Sequence, residues 1–418
     1  MTSTLIFGRK VIFFMKGTSM LLSLALIVLL SLTLSQIFIK LKLPGLVAML
    51  LTGIILGPYV LNLIDSSLLD LSLDLRQIAL IVILLRAGLT LDLKDLKRVG
   101  RPALLLSFIP ATFEIIAVVI FAPMLFEITY LQAAMMGAVL AAVSPAVIVP
   151  RMIKLIESNR GTNKSIPQMI MAGASVDDIY VIVLFASFVQ MAQSNTFSAL
   201  SILALPLTIL SGVALGVGVG SLLVWFFRKI HIRDTIKVMI LFSFAFLFIA
   251  FQEWIKPVFS ISGLIAVMTM GITILKQYVV LAKRLVGKFE KIWVFAEIIL
   301  FVLVGAAVDI GVIPTVGLKV ILLIFIALII RCAGVLLTLI KTQLTKKERL
   351  FVVFSYLPKA TVQAAIGSIP LGLGLPGGAL ILAVAVISIL ITAPLGAVLI
   401  DATSKRWLEV TPIKGLSN

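Results

Sequence analysis

Cysteine, histidine and charge are all scarce in this sequence. Its 418 residues include one cysteine, Cys332, and one histidine, His231. A disulfide within the chain is therefore impossible, and neither a cysteine-based nor a histidine-ligated metal site is expected. Charged residues make up 13% of the chain, about half of their usual share in soluble domains. We predict no cofactor, and we find no nucleophile, metal or base constellation of the kind that an enzyme needs.

Apolar residues take the place of the missing charge. They make up 61% of the chain, and the mean hydropathy is +1.23. A compact soluble fold would leave much of this apolar surface in water, so the expected solvent is a lipid bilayer. The net charge of +17 does not indicate nucleic acid, because the bases lie in small groups between apolar runs. Such a pattern is typical of loops that follow the positive-inside rule.

Thirteen apolar runs are long enough to cross a bilayer, which takes about 20 residues. They lie at 19–39, 44–63, 74–91, 101–124, 130–153, 167–192, 198–227, 236–252, 258–275, 292–310, 315–340, 350–372 and 377–400. No linker between them can hold a soluble domain. The sequence therefore predicts an all-α integral membrane protein of about thirteen transmembrane helices, whose function lies within the membrane.

Basic residues of the loops fall mostly on one side of this topology. The opposite loops hold only Arg76, Lys256 and Lys319. The asymmetry places the N-terminus outside and the C-terminus in the cytoplasm. Three bases near the N-terminus conflict with this orientation, and residues 4–15 are expected to form a short interfacial helix. We expect an N-terminal segment at 1–18, one transmembrane unit at 19–400 and a cytoplasmic tail at 401–418.

Proline interrupts two of the predicted spans near their middles. The fifth reads GAVLAAVSPAVIVPRM and breaks at Ser144-Pro145; the twelfth reads VVFSYLPKATVQAAIGSIP and breaks at Pro358-Lys359. An odd separation gives the two spans opposite orientations. This arrangement predicts an inverted repeat that relates spans 4–5–6 to spans 11–12–13, with the transport site where the breaks meet.

Ionisable residues within predicted spans are costly, at roughly 2.5–3.5 kcal/mol each at a helix centre. Away from the ends of the spans there are seven of them: Arg86, Glu114, Asp177, Asp178, Glu297, Arg331 and Lys359. The set carries one surplus negative charge. A single permeant cation or proton would balance it. Arg86 is expected to snorkel toward the interface or to pair with Glu297.

Adjacent carboxylates at Asp177 and Asp178 lie in the middle of the sixth span. Neighbouring helical residues point about 100° apart, so one can face the break at Ser144 while the other faces an aqueous cavity. Such a pair resists joint ionisation and titrates as a unit. Hard oxygen ligands suit sodium or lithium. The alternative is a structural ion-pair network that transports nothing.

Three further charged residues suggest compensating or structural roles. Glu114 and Arg331 occupy matching positions in the two repeats, so we expect a buried salt bridge between them, with a structural or a functional purpose. Lys359 could compete with the transported cation for Asp177 or Asp178. Gln363, five residues beyond Pro358, is expected to be a helix-packing amide.

Several motifs together resemble the cation/proton antiporter superfamily, within the monovalent cation:proton antiporter families. They are LLRAGLTLD, SPAVIVPRM, GASVDDIYVIVLF, RCAG and LPKATVQAAIGS. The likeness covers about residues 20–400, and within the superfamily the motifs resemble bacterial relatives of the animal NHA-type sodium/hydrogen exchangers. It implies thirteen helices, a homodimer, and a core domain at 101–192 and 315–400 that moves like an elevator against the remaining helices.

The resemblance also implies residue roles. Asp178 would be the main ion-binding carboxylate, Asp177 its charged neighbour, and Ser144 a third ligand. Two departures limit the transfer. Many relatives have Asp-Pro after the Thr or Ser at position 144, whereas here Pro145 follows directly. Many electrogenic relatives have Lys at the position of Arg331.

The function predicted is exchange of sodium or lithium for protons by alternating access, in a prokaryotic plasma membrane. Expected partners are membrane lipid, monovalent cations, protons and a second copy of the chain. The main alternative is an organic-anion carrier, which would need cationic ligands in the broken helices, where only Lys359 qualifies. A potassium efflux system gated by a soluble domain lacks that domain here.

Overall fold

A computed structural model describes residues 19–90, 99–194, 199–255 and 261–410. The interfacial helix expected at 4–15 lies outside them. Within the described residues the chain is helical, with one isolated backbone bridge between Arg160 and Val410. The predicted all-α fold is thus confirmed.

Nine helices form the first half of the described chain. They are α1 (Met20–Lys40), α2 (Gly45–Leu56), α3 (Ser66–Asp70), α4 (Ser72–Thr90), α5 (Arg101–Leu106), α6 (Ile109–Leu125), α7 (Tyr130–Ala141), α8 (Pro145–Glu157) and α9 (Ile166–Ser194).

Nine more helices follow in the second half. They are α10 (Ala199–Lys229), α11 (Asp234–Ile255), α12 (Gly263–Gln277), α13 (Val279–Ala306), α14 (Ile313–Thr338), α15 (Lys346–Ser355), α16 (Thr361–Gly367), α17 (Ile369–Gly372) and α18 (Gly378–Trp407). A 3₁₀ turn at Ile310–Val312 precedes α14.

Each predicted span falls on a helix or on a series of short helices. Within the described residues, eight helical segments are long and apolar enough to cross a membrane by themselves. Two shorter apolar helices, Gly45–Leu56 and Gly263–Gln277, accompany them. The count of thirteen therefore stays a prediction. The last helix continues to Trp407, seven residues beyond the predicted end of the span, through the mostly polar and charged residues 401–407.

The helices pack in two groups. One contains α5 to α9 and α14 to α18; the other contains α1, α2, α4 and α10 to α13. Few helix pairs connect the groups, chiefly α4 and α13 with α16, α2 with α18, and α9 with α10. We call them the broken-helix group and the flanking group. Within the flanking group, a Cβ on Gly53 would lie 2.0 Å from the carbonyl oxygen of Val302, so α2 and α13 touch backbone to backbone.

Matching capping boxes begin the two interrupted helices. Thr129 and Gln132 exchange side-chain and backbone hydrogen bonds at the start of α7, and Thr345 and Glu348 do the same at the start of α15. Each box satisfies two backbone donors that a helix start leaves free. The repeated device strengthens the relation between the two halves.

Both interruptions follow from local chemistry. Helix α7 ends at Ala141, the chain is extended at Ala142 and Ser144, and Pro145 opens α8 at its first position. Proline favours this position, and it holds the residue before it in extended backbone. In the second repeat α15 ends at Ser355 and α16 starts at Thr361, with Pro358 in the gap.

Candidate ion site at the crossing of two broken helices

The two helix breaks meet each other. The backbone N–H of Ser144 donates a 2.8 Å hydrogen bond to the carbonyl oxygen of Pro358. The backbone N–H of Lys359 donates to Thr392 Oγ1 at 3.0 Å, which anchors the second break to α18. Gly396 lies opposite the pyrrolidine ring, since a Cβ on it would stand 2.3 Å from Pro358 Cγ. The crossing places four half-helix ends at one buried point.

Arg331 occupies the centre of the crossing and is fully buried. Its Nη1 donates to Glu114 Oε2 at 2.7 Å and to the carbonyl of Ala141, its Nε donates to the carbonyl of Tyr356 at 2.9 Å, and its Nη2 reaches Asp177 at 3.4 Å. The carbonyls belong to the ends of α7 and α15. Cations are favourable at helix C-termini, so one guanidinium stabilises both broken helices and two carboxylates.

Lys359 also forms an ion pair with Glu114. Its Nζ lies 2.7 Å from Glu114 Oε1 and 2.8 Å from Oε2, and it also donates to the carbonyl of Leu140. The amide of Gln363 donates to the carbonyl of Ala142 at 2.7 Å and reaches that of Leu140 at 3.3 Å. Three side chains thus satisfy the carbonyls that the break frees, as buried backbone groups require.

Asp177 is held at one oxygen only. Its Oδ2 accepts from the backbone N–H of Val143 at 2.9 Å and lies 3.4 Å from Arg331 Nη2. Val143 lies two residues before Pro145, the first residue of α8, and the helix dipole favours a negative charge at this end. The other oxygen, Oδ1, is buried and has no hydrogen-bond partner in the described structure.

Asp178 has the opposite environment. It is 9% exposed, and within the described residues no Lys or Arg nitrogen lies within 4 Å of its carboxylate. Its Oδ1 also lacks a hydrogen-bond partner there, and so does the buried Oγ of Ser144. These three side-chain oxygens are therefore unsatisfied, as are the nearby Oε1 of Gln363 and hydroxyl of Tyr356, which is costly in a buried site unless a ligand or water meets them.

Charge counting identifies the surplus acid. Glu114 and Asp177 are paired with Arg331 and Lys359, so these four groups together are neutral when all are ionised. Asp178 is the remaining carboxylate of the cluster. The sequence count of one surplus negative charge is thereby localised to a residue. One proton or one monovalent cation on Asp178 makes the site neutral.

The structure brings together all six residues singled out from the sequence: Asp177, Asp178, Ser144, Lys359, Arg331 and Glu114. Two expected contacts differ. Lys359 contacts Glu114 rather than either aspartate, because the break aims its side chain at the end of α7. Arg86 pairs with Glu290 at 3.8 Å, one of the acids along α13, rather than with Glu297.

Sequence reasoning missed the roles of Thr392, Gln363 and Tyr356. The hydroxyl of Thr392 accepts a hydrogen bond from the backbone at the second break. The amide of Gln363 donates to carbonyls at the first break. The hydroxyl of Tyr356 packs against Gly173, since a Cβ at that glycine would lie only 2.2 Å from it. A polar residue inside an apolar span was the available signal for Thr392 and Gln363. No sequence signal marks which carbonyl each one meets.

This architecture defines a class of protein: a multi-pass membrane protein with two crossing broken helices and a buried cluster of paired charges. The solved structure of the sodium proton antiporter MjNhaP1 from Methanocaldococcus jannaschii at pH 8 has the same fold, with a TM-score of 0.79 over 92% of this chain and 97% of that chain at 21% identity. The chain also matches the family described as "Sodium/hydrogen exchanger, transmembrane" over residues 24–405.

Curated relatives carry the same family name. Sodium/hydrogen exchanger 9B2 of Homo sapiens is 34% identical over 88% of this chain and 70% of its own length. The 9B2 exchanger of Mus musculus is 35% identical over 88% and 69%, and the human 9B1 exchanger is 30% identical over 80% and 66%. This chain belongs to the sodium/hydrogen exchanger family, a family of membrane antiporters.

Proposed function

We propose that this protein exchanges sodium or lithium for protons, and that Asp178 carries the exchanged charge. The observation that supports the proposal most strongly is the unpaired carboxylate of Asp178 beside a neutral cluster of four charges. A proton and a monovalent cation compete for it, because both satisfy the same single negative charge. Each one therefore excludes the other.

Ligands for the cation are the unsatisfied oxygens of Asp178, Asp177 and Ser144. Carboxylate and hydroxyl oxygens are hard ligands, which suit small cations such as sodium and lithium. Asp177 supplies Oδ1 while Val143 and Arg331 hold its Oδ2 in place. The cluster is neutral with either one proton or one cation bound, which favours exchange of one for one.

Alternating access follows from the two groups of helices. The site lies wholly in the broken-helix group, whose contacts with the flanking group are few. We assign the core domain to residues 101–192 and 315–400 and the scaffold to the remaining helices. In an elevator movement the core slides along the scaffold with its ion pairs intact, because a neutral loaded site crosses low dielectric at less cost than a charged one.

The setting of the protein is proposed as a prokaryotic plasma membrane, with the N-terminus outside, the C-terminus in the cytoplasm and two copies joined through the flanking group. Loop bases on one side support the orientation. Exposed apolar side chains cover the outer faces of α1, α10 and α11, including Leu29, Leu210 and Leu247. These faces suit lipid or a second copy.

The test is transport in proteoliposomes with a pH-sensitive dye inside. Addition of sodium or lithium should dissipate an imposed pH gradient in the wild type and leave it in place in Asp178→Asn. The control is Asp70→Asn, which changes an exposed carboxylate and should transport normally. An organic-anion carrier would instead be insensitive to sodium and to Asp178→Asn.

A further inference from the structure

A cavity of about 300 Å³ lies away from the ion site, between the two helix groups. The flanking group contributes walls from α4, α10, α11 and α12. The broken-helix group contributes walls from α9, α16 and the short α17. The lining is mostly apolar, with a few polar groups, which is the usual character of a small-molecule site.

Arg76 is the unusual residue of this lining. It is 7% exposed, and its Nε donates to the carbonyl of Ser72 at 3.0 Å. Its Nη1 is buried without a hydrogen-bond partner, and within the described residues no carboxylate lies within 4 Å of the guanidinium. A buried charge without a charged partner is strongly unfavourable, so this part of the cavity favours an anion.

Ser368 supplies a second unsatisfied donor on the opposite wall. It is 1% exposed, lies between α16 and α17, and its Oγ has no partner in the described structure. Two other polar side chains of the lining are already engaged: Gln252 accepts from the N–H of Gly263 at 2.8 Å, and Ser187 donates to the carbonyl of Val183. The guanidinium of Arg76 can only donate and the hydroxyl of Ser368 can donate as well, so a ligand with acceptor oxygens complements both.

One acid among the described lining residues, Glu253, does not neutralise Arg76. It is exposed, and it accepts from Gln252 at 3.2 Å. The buried guanidinium also argues against passage of sodium through the cavity, because it repels a cation.

We propose that this cavity binds an anionic amphiphile, whose carboxylate, sulfonate or phosphate head meets Arg76 and Ser368 and from which an apolar chain enters the rest of the cavity. Arg76 belongs to the flanking group and Ser368 to the broken-helix group. A ligand on both therefore ties the groups together and slows the exchange cycle. Binding does not depend on the proposed transport function; only the slowing does.

Thermal unfolding of the purified full chain in maltoside detergent measures binding directly. The probe is decanesulfonate below its micellar concentration, with decyltrimethylammonium as the cationic control. Decanesulfonate should raise the midpoint of the wild type by several degrees, since a ligand of the folded state alone stabilises it. The cationic control should not raise it.

Three variants refine the test. Arg76→Gln should weaken binding and so raise the half-saturating concentration of decanesulfonate by about tenfold or more, since a hydrogen bond to a charged group is lost. Ile209→Trp keeps Arg76 but narrows the cavity, and it should also abolish the shift. Arg406→Gln, at an exposed arginine far from the lining, should respond like the wild type.

A second arm separates the sources of the anion. Protein stripped of lipid is titrated with phosphatidylglycerol and with decanesulfonate. A shift with either compound that depends on Arg76 supports the proposal and identifies lipid headgroups or single-chain anions as the source. Equal shifts in the wild type and Arg76→Gln, or equal shifts with the anionic and cationic probes, overturn it. The outcome is independent of transport, which is measured separately on the same preparations.

Discussion

Ser144 and Pro358 join the two broken helices through one backbone hydrogen bond of 2.8 Å. Each residue lies at the break of its own repeat, and 214 positions separate them along the chain. The bond leaves the Oγ of Ser144 free, so the backbone of this residue serves the architecture while its side chain remains available to a ligand.

Ser144→Ala separates these two roles. We expect the variant to fold with unchanged thermal stability, because the backbone bond to Pro358 persists. Its KM for sodium should rise several-fold, because one of the three proposed ligand oxygens is lost. Stability is followed by thermal unfolding and KM by sodium titration in proteoliposomes. An unchanged KM would remove Ser144 from the proposed ligands.

Lys359→Met tests the charge balance by leaving Glu114 with Arg331 as its partner. Removing one member of a buried ion network typically costs about 3–5 kcal/mol, so we expect a large drop in the unfolding midpoint. The double variant Glu114→Gln with Lys359→Met should recover much of it, because no charge is then left uncompensated. A double variant as unstable as the two single changes added together would contradict the pairing.

The same lysine affects the pH profile of exchange. Without Lys359 the cluster carries an additional negative charge, so protons are held more strongly and sodium displaces them only at higher pH. The profile of Lys359→Met should shift toward alkaline pH. Exchange rates measured from pH 6 to 9 in proteoliposomes check this, with Lys341→Met, an exposed lysine, as the control.

Gly396→Ala tests the close packing of α18 against the ring of Pro358. An added Cβ would lie 2.3 Å from the proline ring, and neither α18 nor the break can move away without losing the bond from Lys359 to Thr392. We expect a loss of folded protein and of exchange. Gly218 is the matched control, since nothing lies within 4 Å of a Cβ there. Gly218→Ala should be neutral or stabilising by up to about 1 kcal/mol.

Cross-linking tests the movement of the two helix groups. Gly372 of α17 packs against Leu73 of α4, with 2.6 Å between a built Cβ and Leu73 Cδ1, so a short bridge between cysteines at these positions joins the groups. Bridging should stop exchange in a background without Cys332. The control pair is Ser35 and Gly45, whose Cβ positions lie 3.2 Å apart within the flanking group; its bridge should leave exchange intact.

Much of this arrangement could be predicted from the sequence. The apolar runs predicted the helices, and Pro145 and Pro358 predicted the breaks, because proline lacks the backbone donor of a helix interior and clashes with the preceding turn. Proline alone was not sufficient, since Pro123, Pro150 and Pro394 lie inside continuous helices. Charges inside apolar spans gave the site residues, since their cost in lipid demands a partner or a function.

Pairing within the site could not be predicted. The sequence predicts that Lys359 and Arg331 pair with acids. It does not predict which acid each one meets, because the direction of a side chain at an unwound segment depends on how the two broken helices cross. Only the folded chain places Lys359 on Glu114 and leaves Asp178 alone. The cavity at Arg76 was equally invisible, because its walls come from seven helices that lie far apart in the sequence.

Proton release on sodium binding tests the central claim, that Asp178 carries the one unpaired charge, most directly. The purified protein is titrated with sodium in a weakly buffered solution, and the protons released are counted. We predict about one proton per sodium bound for the wild type and for Asp70→Asn, and neither binding nor release for Asp178→Asn. Sodium binding with undiminished proton release by Asp178→Asn would contradict the account.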